Sequence, residues 1–181
     1  RAHPNLRKVT DLKFSSMSDV TECDVLCVAL PHGESMNRSS ELFPLGDRVI
    51  DLSADFRLRD AADYPVWYGH EHSHPELLDA FVYGLAELHR EEIRESRYVA
   101  CTGCLAATAI LALAPLAKAG LIDPTRIILE GKIGSSAAGN KADLSSHHPE
   151  RSGAVRSFKP TGHRHTAEML QELDFGERPE I

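Results

Sequence analysis

Short apolar runs alternate with helix-like segments along most of this chain, and that alternation limits the fold more than any other feature. Residues 24–30 (DVLCVAL) form a continuous apolar run that stops at Pro31-His32-Gly33. Residues 48–52 (RVIDL), entered through Gly46-Asp47, form a second run, 97–101 (RYVAC) a third and 126–133 (RIILEGKI) a fourth. Between them, residues 34–42, 75–80 and 86–95 read as helices, and the last is charged enough to face solvent. Residues 105–119 form an Ala/Leu helix closed by Gly120. A run without polar alternation suits a strand covered on both faces. Strands alternating with helices build βαβ units on a parallel sheet. The expected class is α/β.

At 181 residues the chain holds one domain, or one and part of a second. With 42% apolar and 26% charged residues, and only 12 Gly and 10 Pro, it is neither disordered nor collagen-like and can bury a core. Against 27 acidic side chains stand 20 basic ones, a net charge of −7. General binding to nucleic acid or anionic lipid is therefore not expected, although a local phosphate pocket remains open. The longest apolar stretch, 105–117, is too short to span a bilayer and contains Pro115. Four cysteines are too sparse for a disulfide scaffold, so a reducing, cytoplasmic setting is expected. Cys27 reads as a small buried hydrophobe and Cys23 as inert.

The segment 99–104 (VACTGC), followed by the long apolar helix, carries the strongest chemical signal. A strand leads through Gly103 to Cys104 at or near a helix N-terminus, where unpaired N–H groups and a partial positive charge favour a thiolate. The same donors suit an oxyanion on an attacked carbonyl, and Gly103 permits a tight turn and close substrate approach. This arrangement suits covalent thioester chemistry. Two other readings of the Cys101/Cys104 pair stay open: a dithiol redox pair, or half of a zinc site completed by His163 and His165 in a zinc-stabilised binding module. The first Cys closes a strand instead of lying inside the helical turn, which weakens the redox reading.

Gly162-His-Arg-His165 places two histidines at alternate positions. On an extended segment they share a face and supply a base and an acid. Gly134-Ser-Ser-Ala-Ala-Gly-Asn-Lys141 resembles a phosphate-cradling nest but lacks the P-loop spacing. In residues 146–153 (SHHPERSG), Arg151, with the nearby Arg156, suits a carboxylate or phosphate; a solvated loop is the equal alternative. Leu30-Pro-His-Gly33 and Asp51-Leu-Ser-Ala-Asp-Phe-Arg57 end two strands, and ligands in open α/β sheets bind at such carboxyl ends. Asp55 and Arg57 can equally pair with each other. His70, His72 and His74 read as a polar loop instead of a metal comb.

Seven of these segments occur together and in the order found in N-acetyl-gamma-glutamyl-phosphate reductases: VALPHGESM, DLSADFRL, WYG, VYGLAEL, GCLAATAILALAPLAKAGLI, GSSAAGNKADLSSHHPE and GHRHTAE. The chain resembles that family over nearly its whole length. The resemblance implies NADPH-dependent reduction of an acyl phosphate to a semialdehyde in amino-acid biosynthesis, through a thioester on Cys104. His163 and His165 would be base and acid, without separate assignment. Pro31, His32, Ser135 and Gly139 would face the cofactor, while Arg57, Ser136, His148 and Arg151 would contact substrate; no metal is implied. The family's Asn-Pro-Gly-Cys-Tyr is here Cys101-Thr-Gly-Cys-Leu105, which points to a different substrate. The SSHHPERSG loop is more similar to the lysine-biosynthesis branch, whose 2-aminoadipyl 6-phosphate (or glutamyl analogue) rides on a small acidic amino-group carrier protein. The acetylated substrate of arginine biosynthesis is the alternative. A homo-oligomer is expected from the same resemblance.

A dinucleotide-binding fold should begin with a strand and a Gly-rich turn, and neither is found here. The chain is therefore expected to be a fragment. Residues 1–100 would be part of a Rossmann-type NADP-binding domain. Residues 101–181 would begin an α+β catalytic and dimerisation domain of the glyceraldehyde-3-phosphate-dehydrogenase kind. Alone, the 181 residues are expected to bind NADP poorly and to be inactive.

Overall fold

The computed structural model describes residues 8–138, 143–144 and 146–173. Four strands form one parallel sheet: β1 (Cys23–Val28), β2 (Gly46–Asp51), β3 (Phe81–Tyr83) and β4 (Tyr98–Ala100), in the order β1-β2-β4-β3. Val25 pairs with Arg48 across β1 and β2, Val49 with Tyr98 across β2 and β4, and Phe81 with Tyr98 across β3 and β4. Helical segments connect them: α1 (Glu34–Asn37), α2 (Ser39–Leu42), α3 (Asp63–Tyr68) and α4 (Ala86–Glu95). Beyond the sheet follow α5 (Cys104–Lys118), α6 (His148–Arg151) and α7 (His165–Glu172).

The α/β reading holds, with informative departures. The third strand in chain order, β3, has only three residues and did not stand out as an apolar run. Residues 126–133 belong to no strand or helix, and Ile128 is 80% exposed. A strand exists only by pairing, and the described residues offer this run no partner. Cys27 is exposed instead of buried, because β1 is the sheet edge and Val25 on the same strand is 50% exposed.

An aromatic cluster fills the core beneath the sheet. Phe56 stacks on Phe81 at 4.2 Å between ring centroids, and Phe43 lies 5.3 Å from Phe56 and 5.6 Å from Phe81. A second cluster joins α5 and α7: Ala106, Ile110, Met169 and Leu173 pack with Tyr83 and Leu85. The small side chains of α5 let α7 approach closely. α5 ends as its sequence suggests. Gly120 takes φ +66°, its N–H donates to the Ala117 carbonyl, and the Leu121 N–H donates to Leu116. These two bonds form a Schellman closure.

Candidate active site

Parallel strands bring their carboxyl ends to one edge, and the loops leaving β1, β2 and β4 meet there. The first two are tied together. Asp55, buried in the loop after β2, accepts the N–H groups of Gly33 (2.8 Å) and Met36 (3.0 Å), satisfying the start of α1. His32 Nδ1 accepts the Ala54 N–H at 3.0 Å, which leaves the proton of the neutral ring on Nε2. Asp55 and Arg57 therefore serve different partners instead of each other.

The loop leaving β4 is held on three sides. The Cys101 N–H donates to the Asp51 carbonyl (2.7 Å). Arg57 Nε donates to the Cys101 carbonyl (2.6 Å). The Gly103 N–H donates to Glu168 Oε2 (2.8 Å). Gly103 then serves as N-cap and Cys104 as the exposed first residue of α5. The Gly103 N–H is thus committed to Glu168 and is withdrawn from the set of oxyanion donors. Among the described residues no acceptor takes the N–H groups of Cys104 or Leu105, which stay available at the helix end, whereas Ala106 is fully buried. Burial pushes the Cys101 thiol pKa up, which disfavours its thiolate.

The two histidines do come together, with ring centroids 4.6 Å apart, but not on an extended segment. His165 opens α7, and its N–H donates to His163 Nδ1 at 3.1 Å. His165 is 6% exposed and packs against the cysteine-bearing turn: a Cβ on Gly103 would stand 2.6 Å from its Nε2. Burial, reinforced by the His163, Arg57 and Arg164 charges, lowers the His165 pKa to about 4, so the ring is neutral at pH 7. Its buried Nδ1 has no partner among the described residues. Burial also lowers His163, helped by Arg164 and Lys159.

Helix α7 is fastened to the loop after β2 by successive side chains. Gln171 Nε2 donates to the Arg57 carbonyl (3.0 Å), while its Oε1 accepts the Arg59 N–H (2.8 Å). Glu172 accepts from Arg59 Nη2 (2.8 Å) and from His89 Nε2. Glu168 is fully buried; it accepts the Tyr83 hydroxyl (2.7 Å) and faces Arg57 Nη1 at 3.5 Å. Glu168 and Tyr83 were not singled out in the sequence, although they lie in the GHRHTAE and VYGLAEL motifs.

The other sequence candidates lie elsewhere. Ser135 and Ser136 sit in an exposed single turn, Ser135–Ala138, and Gly139 falls outside the described residues. His148 and Arg151 begin and end α6, whose Glu150 pairs with Arg156 at 2.7 Å. Among the described residues, no hydrogen bond or ion pair joins Ser135, Ser136, His148 or Arg151 to the Cys104 site. Arg57 is buried, and its three guanidinium nitrogens meet Cys101, Glu168 and Leu52. His72 is a buried strut from Nε2 to the Asp55 carbonyl (2.7 Å). Among the described residues no three His, Cys, Asp or Glu side chains are grouped to hold a metal ion, so the zinc reading gains no support. No helix among them is long and apolar enough to cross a membrane.

The edge also fits the nicotinamide end of a dinucleotide. No atom lies within 4 Å of where a Gly33 Cβ would stand, so the backbone there is open to close approach. The ring of Tyr68 lies 6.4 Å from that of His32, and its buried hydroxyl is close to Arg57.

A thiol at a helix start, with a buried histidine packed against the preceding turn at the carboxyl edge of a parallel sheet, is an arrangement suited to cysteine chemistry beside a bound nucleotide. Sequence comparison gives the family. Residues 1–96 match the family model described as semialdehyde dehydrogenase, NAD binding domain, and residues 104–180 match semialdehyde dehydrogenase, dimerisation domain. The chain belongs to the semialdehyde dehydrogenase family, whose two matched domains fit a Rossmann-type, glyceraldehyde-3-phosphate-dehydrogenase-like fold. A relative in Thermomicrobium roseum is 58% identical over 172 residues, covering 94% of this chain and 49% of the relative. The LysW-L-2-aminoadipate 6-phosphate reductase of Deinococcus radiodurans is 51% identical over 171 residues, 94% of this chain and 49% of that protein. In Saccharolobus solfataricus, the LysW-L-2-aminoadipate/LysW-L-glutamate phosphate reductase is 47% identical over 174 residues, with the same coverage. The chain thus spans about half the length of these curated relatives.

Proposed function

We propose that the whole protein reduces a carrier-linked acyl phosphate, 2-aminoadipyl 6-phosphate or its glutamyl analogue, to the semialdehyde, using NADPH. The observation that carries this reading is the Gly103–Cys104 turn, which presents an exposed thiol at the start of α5 with His165 packed behind it. The names of the relatives supply the substrate class. Cys104 Sγ forms a bond to the acyl carbon, the carbon–oxygen bond to phosphate breaks, and inorganic phosphate leaves with that electron pair. The free N–H groups of the first turn of α5 stabilise the oxygen charge that develops. When bound, the nicotinamide supplies the hydride that reduces the thioester to the aldehyde level. His163 and His165 carry the proton taken from the thiol and return it to sulfur when the aldehyde departs.

Pro31 and His32, on the loop after β1, and Ser135 and Gly139 face the cofactor in this account. Ser136, His148 and Arg151 contact substrate; Arg151 has no acidic partner among the described residues. The division between the two domains falls near residue 100. The dimerisation-domain match supports a homo-oligomer, and we place the reaction in the cytoplasm, where the thiol stays reduced.

The test is the reverse reaction of the full-length protein, followed by NADPH formation from semialdehyde, inorganic phosphate and NADP. Phosphate-dependent NADPH from the carrier-linked semialdehyde is the expected result. Turnover of N-acetylglutamate semialdehyde alone would move the protein to arginine biosynthesis. No NADPH from either, with a tightly held zinc lost on changing Cys101 or His163, would replace the enzyme by a binding module.

A further inference from the structure

Resting on that thiol reading, we propose that the buried Arg57–Glu168 pair is a clamp that sets the position of Cys104 by gripping both ends of the turn before it. Arg57 takes the carbonyl of Cys101 (2.6 Å) and Glu168 takes the N–H of Gly103 (2.8 Å). The two side chains arrive from opposite directions, one from the loop after β2 and one from α7, and meet at 3.5 Å. Neither is free to drift. Arg57 also donates to the Leu52 carbonyl (3.3 Å), and Glu168 Oε2 also accepts the Tyr83 hydroxyl (2.7 Å). Each guanidinium nitrogen meets a protein acceptor and the side chain is buried, so Arg57 acts on the turn.

The same carboxylate borders the histidine. Glu168 follows His165 by three residues on α7, so the two share a helix face, and Glu168 Oε1 lies 4.0 Å from His165 Nε2, a packing contact with the neutral ring. The residue that grips the nucleophile turn therefore also packs beside the ring behind it. On the other side Cys104 is exposed and its helix-start N–H groups are unpaired. The turn is rigid toward the protein and open toward substrate, as a preorganised nucleophile requires. Stability alone does not account for the pair, because apolar residues in such a place usually stabilise as well or better. Arg57 and Glu168 touch no reacting atom and are positioning residues.

The test uses the full-length enzyme and three variants: Arg57→Lys, Glu168→Gln and, as a control, Glu172→Gln. Glu172 docks the same helix through Arg59 and His89 but does not reach the turn. A displacement of about 1 Å in a reacting group costs on the order of 100-fold in rate. Arg57→Lys and Glu168→Gln are therefore expected to lower kcat by about 100-fold with KM held within about 3-fold. Alkylation of Cys104 by iodoacetamide, read by mass spectrometry without substrate, should slow or lose its selectivity in both. Glu172→Gln should lower Tm yet keep kcat and alkylation within about 3-fold of wild type.

The clamp is wrong if folded Arg57→Lys and Glu168→Gln keep wild-type kcat and alkylation, or if they raise KM alone. It is equally wrong if Glu172→Gln loses as much kcat, since that would mean general loosening of α7. A wild-type enzyme without phosphate-dependent turnover would refute the functional reading instead, and the alkylation rates would still decide the clamp.

Discussion

Replacing Gly103 by alanine probes the packing at the heart of the site. The backbone does not forbid it: Gly103 has φ −68° and ψ 141°, a conformation open to any residue. The obstacle is space. A Cβ there would stand 2.6 Å from both Glu168 Oε1 and His165 Nε2, about 0.8 Å inside the 3.4 Å at which ordinary contact begins. Both neighbours are buried; Glu168, tethered to Tyr83 and to Gly103 itself, does not yield without breaking hydrogen bonds, and the His165 ring is confined by packing. Overpacking typically costs 1–3 kcal/mol, and disturbing hydrogen bonds to a charged acceptor adds about 1.5 kcal/mol or more. Gly103→Ala is therefore expected to destabilise by roughly 3 kcal/mol. Urea unfolding of the full-length protein measures that change, and kcat should fall by at least about 10-fold as the turn shifts. A variant within about 0.5 kcal/mol of wild type, with normal turnover, would show that Gly103 is not wedged between Glu168 and His165.

Three further outcomes follow from the same geometry. Gly33→Ala should cost about 1 kcal/mol by thermal unfolding for the opposite reason, since Gly33 has φ +87° with empty space around it. Phe56→Ala removes the central ring of the aromatic cluster and should cost about 3–5 kcal/mol, with loss of the cooperative transition as the signature. His165 links stability to pH. Its pKa is lowered from 6.5 to about 4 on folding, so the unfolded chain binds its proton more readily. The His165 contribution is intact above pH 6.5 and is lost as pH falls toward 4, by about 3 kcal/mol at most. Urea midpoints of wild type and His165→Asn across that window should converge at low pH; parallel curves would contradict the neutral buried ring.

What could be read from the sequence follows the range of the interactions. β2, β4 and α5 are set by local apolar runs and by Gly120, and the structure keeps them within a few residues of expectation. The segment 126–133 has the same composition but remains outside any strand, because strand formation depends on a partner that composition does not disclose. Cys27 looked buried because a continuous apolar run does not reveal that its strand lies at the sheet edge. In the candidate site, motif spacing singled out Cys104 and the two histidines, and the structure packs His165 against the turn before Cys104. Their mutual geometry was not legible: His163 and His165 approach through the start of a helix instead of along a strand. The Arg57–Glu168 pair spans 111 residues of sequence, and no local pattern distinguishes such a pair from two surface charges. Arg57 accordingly read as a substrate contact, while the structure shows each of its guanidinium nitrogens meeting an acceptor of the protein.

The central claim, that Cys104 carries the acyl group, is tested most directly by trapping that intermediate. Full-length enzyme is mixed with carrier-linked aminoadipyl phosphate in the absence of NADPH, quenched in acid, digested and analysed by mass spectrometry. The account requires an acyl thioester on the Cys104 peptide, formed together with one equivalent of inorganic phosphate and absent from Cys104→Ser. An adduct on Cys101 or another residue, or phosphate-free turnover without an adduct, would contradict it.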